Sequence, residues 1–188
     1  MESRPSGKRT CLYNSAQLGV VLDTMALQLA GLLAGKERIV VVGILRRGAP
    51  LAEMLHKRLS RHIGHANIPL MNLQIKRYAD DLKLLHPETK LTENPEHIAL
   101  DLSGVSVVVV DDVMYRGHSM LRAVEYMASK QAEEIRTVVL VDRGATLLPV
   151  RSDIAGVRLD VAPSDIIECN VPPYETEFKI ELLQPSVR

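Results

Sequence analysis

Two adjacent carboxylates, Asp111 and Asp112, follow four consecutive valines, Val107 to Val110. Beyond them lies a short segment with one glycine, Tyr115-Arg116-Gly117-His118, then the hydroxyl of Ser119 and the helical stretch Met120 to Ala128. Strand, acidic pair, glycine loop and helix start, in that order, build a site for a sugar phosphate. The carboxylates can accept hydrogen bonds from ribose hydroxyls. The loop amides and the partial positive charge of a helix N-terminus can hold a phosphate. Taken alone, the same residues also fit a strand end followed by a helix cap.

The elements that must position these groups read as an α/β domain. Asn14 with Gln17 has the spacing of a capping box, and the helix it opens runs from Ala16 to about Ala34, with Gly35 as its stop. Ile39–Leu45 is a buried strand, Arg46-Arg47-Gly48 a loop, and Pro50 suits the first turn of a helix reaching about Arg61. Ile68–Tyr78 is a second strand and 79–103 a long polar connection. Val105–Val110 is the third strand, 119–130 a helix, Ile135–Val141 the fourth strand, and Leu159–Ala162 a short fifth. The segments around Ile166-Ile167 and Phe178–Leu182 add one or two more. Strands alternating with helices predict a mainly parallel central sheet flanked by helices. Loops 46–48, 111–119 and 142–146 then fall at the C-terminal strand ends, where such sheets bind ligands.

With 188 residues, one domain is expected, and residues 1 to 12 read as a mobile basic tail. The core must be aliphatic, since Trp is absent and Phe occurs once. Lys+Arg and Asp+Glu balance at 23 each, which argues against a broadly basic nucleic-acid binder while leaving room for a local basic patch. Cys11 and Cys169 stand far apart with no CxxC, which argues against a disulfide framework or zinc ribbon. Neither a signal-peptide core nor an uninterrupted apolar run of membrane-spanning length is read, so the expectation is a cytoplasmic protein without membrane contact. His62 and His65 near a helix end read as solvated, and no dedicated metal-ligand set is predicted. The fingerprint GxGxxG, a Walker A loop and a GxSxG elbow are all missing.

The acidic-pair segment resembles the phosphoribosyl-pyrophosphate (PRPP) signature of type I phosphoribosyltransferases. Val42 to Ala52, with Arg46-Arg47-Gly48 at its centre, looks like that superfamily's pyrophosphate loop. Tyr78-Ala79-Asp80-Asp81-Leu82 is similar to the start of its flexible loop. Val141-Asp142-Arg143-Gly144, with Leu148 to Asp153, looks like the base-side loop of one branch, the bifunctional pyrimidine operon regulators and uracil phosphoribosyltransferases known as the PyrR family. Together the segments cover roughly residues 15 to 183.

The resemblance implies a small hood beside the parallel sheet and transfer of phosphoribosyl from PRPP to a nucleobase, uracil giving UMP. It assigns Asp111 and Asp112 to catalysis on the sugar side. Tyr115, Arg116, Gly117, His118 and Ser119 go to the 5′-phosphate. Arg46, Arg47 and Gly48 go to the leaving pyrophosphate, in a loop with a non-proline cis peptide. Lys76, Arg77, Asp80 and Asp81 go to the flexible loop, and Arg143 and Gly144 to the base. It also implies Mg²⁺ carried mainly by PRPP, and a homo-oligomer.

Three departures from the family pattern keep alternatives open. Arg116 stands where a small hydroxyl residue is usual, Ala79 where an arginine is usual, and Ala145-Thr146 where the base-side loop continues His-Arg. A transferase for another base fits these changes. So does a catalytically weak, nucleotide-sensing RNA-binding attenuator using Lys57, Arg58 and Arg61, although helix 15–34 contributes no Lys or Arg to a basic face.

Overall fold

The computed structural model describes residues 6–64, 68–76, 90–92 and 100–186. Its centre is a six-stranded sheet in the order β4-β3-β2-β5-β6-β7. The strands are β2 (Ile39–Leu45), β3 (Leu70–Lys76), β4 (Lys90–Thr92), β5 (Ser106–Met114), β6 (Glu134–Asp142) and β7 (Ile154–Arg158). All neighbours pair in parallel except β4, which runs antiparallel to β3 at the edge.

Successive side chains of a strand face opposite sides of its sheet. Val41, Val108, Val110, Val138 and Leu140 therefore join one core cluster, and Val40, Val42, Val107, Val109 and Val139 the other. Helices cover both sides, and for that reason the strands read as continuous apolar runs. On the first face lie α1 (Ser15–Leu32), through Leu18, Leu22, Met25 and Leu29, and α2 (Gly48–Leu59), through Leu51, Leu55 and Leu59. On the second lies α3 (His118–Ser129), through Met120, Ala123 and Met127. The capping box opens α1 as expected: Asn14 Oδ1 accepts from the N–H of Gln17 at 3.0 Å, and Gln17 Oε1 from that of Asn14 at 2.9 Å. By length and composition α1 could cross a membrane. Here one face of it is part of the core, while Val20 and Leu27 stay exposed.

A second, three-stranded antiparallel sheet, β1-β9-β8, is the small hood. It contains β1 (Gly7–Tyr13), β8 (Ile166–Asn170) and β9 (Lys179–Pro185).

Four expectations change. Residues 7–12 are not a mobile tail. They form β1, paired along its length with β9, and Arg9 meets Glu168 at 2.8 Å. Thr10, Cys11, Leu12 and Tyr13 suit a strand, and Arg9 beside them finds a carboxylate. The fifth parallel strand is Ile154–Arg158 rather than Leu159–Ala162, in register from Val138↔Ile154 to Asp142↔Arg158; Gly156 within it resembles a strand breaker. The polar connection 79–103 contains strand β4. Finally, β5 continues through the acidic pair to Met114, because β6 pairs with it as far as Asp142. Asp111 and Asp112 are thus strand residues, held more rigidly than a loop would hold them.

Candidate active site

The C-terminal ends of β2, β5 and β6 bring three of the singled-out segments to one side of the sheet. After β2 the chain turns through a cis peptide between Leu45 and Arg46 and enters α2 at Gly48. Only glycine fits at position 48. A Cβ there would lie 2.7 Å from the Val110 carbonyl oxygen and 3.2 Å from Asp111 Oδ1. The start of α2 is therefore pressed directly against the acidic pair.

Asp111 and Asp112 are partly exposed, yet the surrounding protein desolvates them heavily. Burial pushes the Asp111 carboxyl well above its ordinary value, and the adjacent Asp112 charge pushes it further. Burial raises Asp112 too, while the Arg47 guanidinium pulls the other way. Asp111 Oδ1 accepts the N–H of Asp112 at 2.9 Å.

Past Met114, Tyr115 and Arg116 lead to Gly117, the N-cap of α3, at φ 85° in the left-handed region glycine favours. A Cβ on Gly117 would approach Val150 Cγ1 to 2.7 Å and Thr146 Cγ2 to 2.9 Å. No side chain caps α3, in contrast to α1, and His118 and Ser119 form its first turn. The Arg116 guanidinium lies 5.3 Å from the centre of the Tyr115 ring.

The Arg143 guanidinium packs over the same ring, at 4.5 Å. Arg143 is 5% exposed. Its Nη2 donates to the Ala162 carbonyl at 3.4 Å, and its buried Nε has no hydrogen-bond partner. Burial lowers its pKa from the ordinary arginine value, with Tyr115 and Asp165 acting in the opposite direction. Gly144, exposed and at φ 64°, donates its N–H to Asp142 Oδ1 at 2.9 Å. The other Asp142 oxygen accepts from Ser152 Oγ at 3.1 Å.

Thus Arg46, Arg47, Gly48, Asp111, Asp112, Tyr115 to Ser119, Arg143 and Gly144 gather at one end of the sheet. Lys76 ends β3 on the same side. Arg77, Asp80 and Asp81 lie outside the described residues. Sequence reasoning did not single out Glu175, which binds Arg47, and gave no role to Asp142 and Ser152 of the base-side segment, which brace the Gly144 turn. The break Pro172-Pro173 signals a loop before Glu175, but nothing in the local sequence signals its partner.

A family model described as the phosphoribosyl transferase domain matches residues 10–177. The chain belongs to this family. Within the phosphoribosyltransferases it is PyrR-like. The bifunctional protein PyrR of Haemophilus ducreyi is 35% identical over 151 residues, covering 80% of this chain and 83% of the relative. That of Clostridium perfringens is 34% identical over 151 residues, with 80% and 83% covered. Among solved structures, the hypoxanthine phosphoribosyltransferase of Trypanosoma cruzi in complex with the product IMP matches with a TM-score of 0.70 at 14% identity, covering 98% of this chain and 94% of that one. A hypoxanthine phosphoribosyltransferase of Staphylococcus aureus matches with a TM-score of 0.67 at 16% identity, covering 84% and 80%. At such identities the structural likeness speaks for the fold alone.

Proposed function

We propose that this chain transfers the phosphoribosyl group of PRPP to a ring nitrogen of a nucleobase, with uracil as the acceptor and UMP and pyrophosphate as products. The observation that carries this reading is the contact of Gly48 with Asp111. It joins the Arg46-Arg47 turn to the acidic pair, in a chain whose curated relatives are PyrR proteins.

The reaction breaks the C1′–O bond to pyrophosphate and forms a C1′–N bond, and the base nitrogen loses its proton. The sugar becomes cationic as pyrophosphate gains negative charge, so positioning and charge stabilisation supply most of the catalysis. Asp111 and Asp112 hold the ribose hydroxyls and offset the positive ring. Arg46, Arg47 and the start of α2 receive the pyrophosphate. The segment Tyr115 to Ser119, with the uncapped start of α3, receives the 5′-phosphate. Arg143 and Gly144 face the base. Lys76, Arg77, Asp80 and Asp81 belong to a segment that excludes water during the reaction.

Among the described residues no group of three or more His, Cys, Asp or Glu could hold a metal ion. The carboxylates of Asp111 and Asp112 remain as the nearby oxygen donors. Two carboxylates plus substrate phosphates suit Mg²⁺, which keeps several waters and takes few protein ligands. Bound with PRPP, Mg²⁺ would neutralise phosphate charge.

The test is pyrophosphate release from PRPP and Mg²⁺ with uracil, cytosine, hypoxanthine, xanthine, guanine and adenine in parallel. Turnover with uracil is expected, with a loss on the order of 10²-fold or more in Asp112→Asn. Turnover with a different base alone would reassign the acceptor, and failure with every base would remove the enzyme reading.

A second reading, a nucleotide-sensing RNA-binding regulator, draws on the exposed Lys57 of α2 and on Arg61 in the turn just beyond it. Arg58 is less available for it, since its Nε donates to Asp23 at 2.8 Å. RNA affinity that falls steeply with salt would support this reading. The PyrR likeness also favours a cytoplasmic homo-oligomer, which sedimentation of the purified protein and fractionation of cells would check.

A further inference from the structure

Arg46 and Arg47 are consecutive, and they meet consecutive residues of one other loop. The Arg46 guanidinium lies 5.1 Å from the centre of the Tyr174 ring. Arg47 donates from Nη2 to Glu175 Oε1 at 2.6 Å and from Nε to the two carboxylate oxygens at 3.2 and 3.3 Å. The Glu175 side chain is only 9% exposed and that of Arg47 20%. Glu175 is fixed in turn by its own loop: Oε2 accepts the N–H of Val171 at 2.8 Å. Leu45 and Ala49, on either side of the arginine turn, line a cleft of about 330 Å³ together with Pro172, Pro173 and Tyr174. The loop between β8 and β9, part of the hood, is therefore seated against the turn that leads into α2.

A guanidinium has five donors in a planar fork. A carboxylate on its Nε and Nη2 edge fixes the orientation of the remaining edge. Arg47 lies close enough to Asp112 for its charge to act on that carboxylate.

We propose that Glu175 is a positioning residue for the transfer, holding Arg47 in the orientation that receives the leaving pyrophosphate and thereby tying the hood to the chemistry of the parallel sheet. The proposal rests on the phosphoribosyl-transfer reading above. Glu175 touches no reacting atom; it acts through Arg47.

The test measures binding of inorganic pyrophosphate with Mg²⁺ by calorimetry to wild type, Glu175→Gln, Glu175→Asp, Arg47→Ala and the double variant Arg47→Ala/Glu175→Gln. Glutamine keeps an oxygen for the Val171 N–H and removes the charge. Glu175→Gln is expected to weaken pyrophosphate about tenfold, and Glu175→Asp to recover part of that loss. The double variant should bind no worse than Arg47→Ala, because removing the orienter of an absent side chain changes nothing further. In steady state, KM for PRPP should rise in Glu175→Gln while KM for the base stays within twofold. The proposal is overturned if Glu175→Gln binds pyrophosphate within twofold of wild type, or if the two losses multiply in the double variant. Wild type that binds neither PRPP nor pyrophosphate would instead sink the transferase reading, and this proposal with it.

Discussion

Leu147 donates its backbone N–H to the carbonyl of Arg116 across 3.3 Å. The two residues sit in two of the three segments where the chain departs from the pattern its family resemblance implies. Those segments also meet through Thr146, Val150 and Gly117. The departures at 116 and at 145–146 therefore lie side by side: the base-side loop packs onto the glycine turn, and the Arg116 side chain lies beside Tyr115.

Gly117→Ala should damage this junction. The new methyl would meet two stiff β-branched side chains, at a φ that L-residues adopt with strain. A loss of about 2–4 kcal/mol is expected from strain and overpacking together. Thermal unfolding would read the loss, and KM for PRPP should rise if the turn receives the 5′-phosphate.

Asp111→Asn should make the protein more stable at neutral pH while abolishing turnover. The folded state holds this carboxyl at a raised pKa, so the folded chain binds more protons than the unfolded chain across that interval. Stability contributed by this group is full below its unfolded pKa and is lost as pH rises through the folded one. Asparagine escapes the loss and can still accept the Asp112 N–H. The Tm difference between variant and wild type should be positive at pH 7 and shrink toward zero as pH falls below the ordinary carboxylate range. Each kcal/mol of relief corresponds to about 2–4 °C. A difference independent of pH would show that desolvation is not its cause.

Arg143→Met separates stability from base recognition. The buried Nε has no partner, so replacing the side chain with an apolar one removes an unsatisfied polar group along with the stacking on Tyr115. Stability should stay within about 1 kcal/mol. If Arg143 contacts the base, KM for the base should rise about tenfold or more while KM for PRPP holds. Equal changes in both constants would place Arg143 outside base recognition.

Removing residues 1–12 should cost far more than removing the Arg9 ion pair. Arg9→Ala breaks one partly exposed pair with Glu168, worth about 1 kcal/mol or less. The truncation strips an entire strand from β9 and leaves an open sheet edge. Thermal melts and light scattering should show a small shift for the first variant, and a large shift with aggregation for the second.

Much of this architecture was legible in residue order. The valine runs of β2, β5 and β6 are buried on both faces, so they stand out without any alternation. The Asn14–Gln17 spacing marked the start of α1 because its capping contacts are local. The parts that escaped depend on partners distant in the chain. β1 is polar on its exposed positions and is a strand only because β9 lies beside it. Gly156 disguised β7. Glu175 follows a Pro-Pro break in a segment with no motif, and its partner Arg47 is 128 positions away. The packing of Arg143 on Tyr115 escaped for the same reason, since the two residues come from two separate strand ends.

The pairing of β1 with β9 also has a consequence in time. Gly7 to Tyr13 leave the ribosome long before Lys179 to Pro185, so the hood's outer strand must wait for nearly the whole described chain before it can pair. The parallel sheet can close first, from β2, β3, β5, β6 and β7. The hood, and with it the loop carrying Glu175, is then assembled onto a finished platform. During synthesis the nascent chain would hold an acidic pair and an arginine turn already in place, and acquire the residue that aims Arg47 among the last.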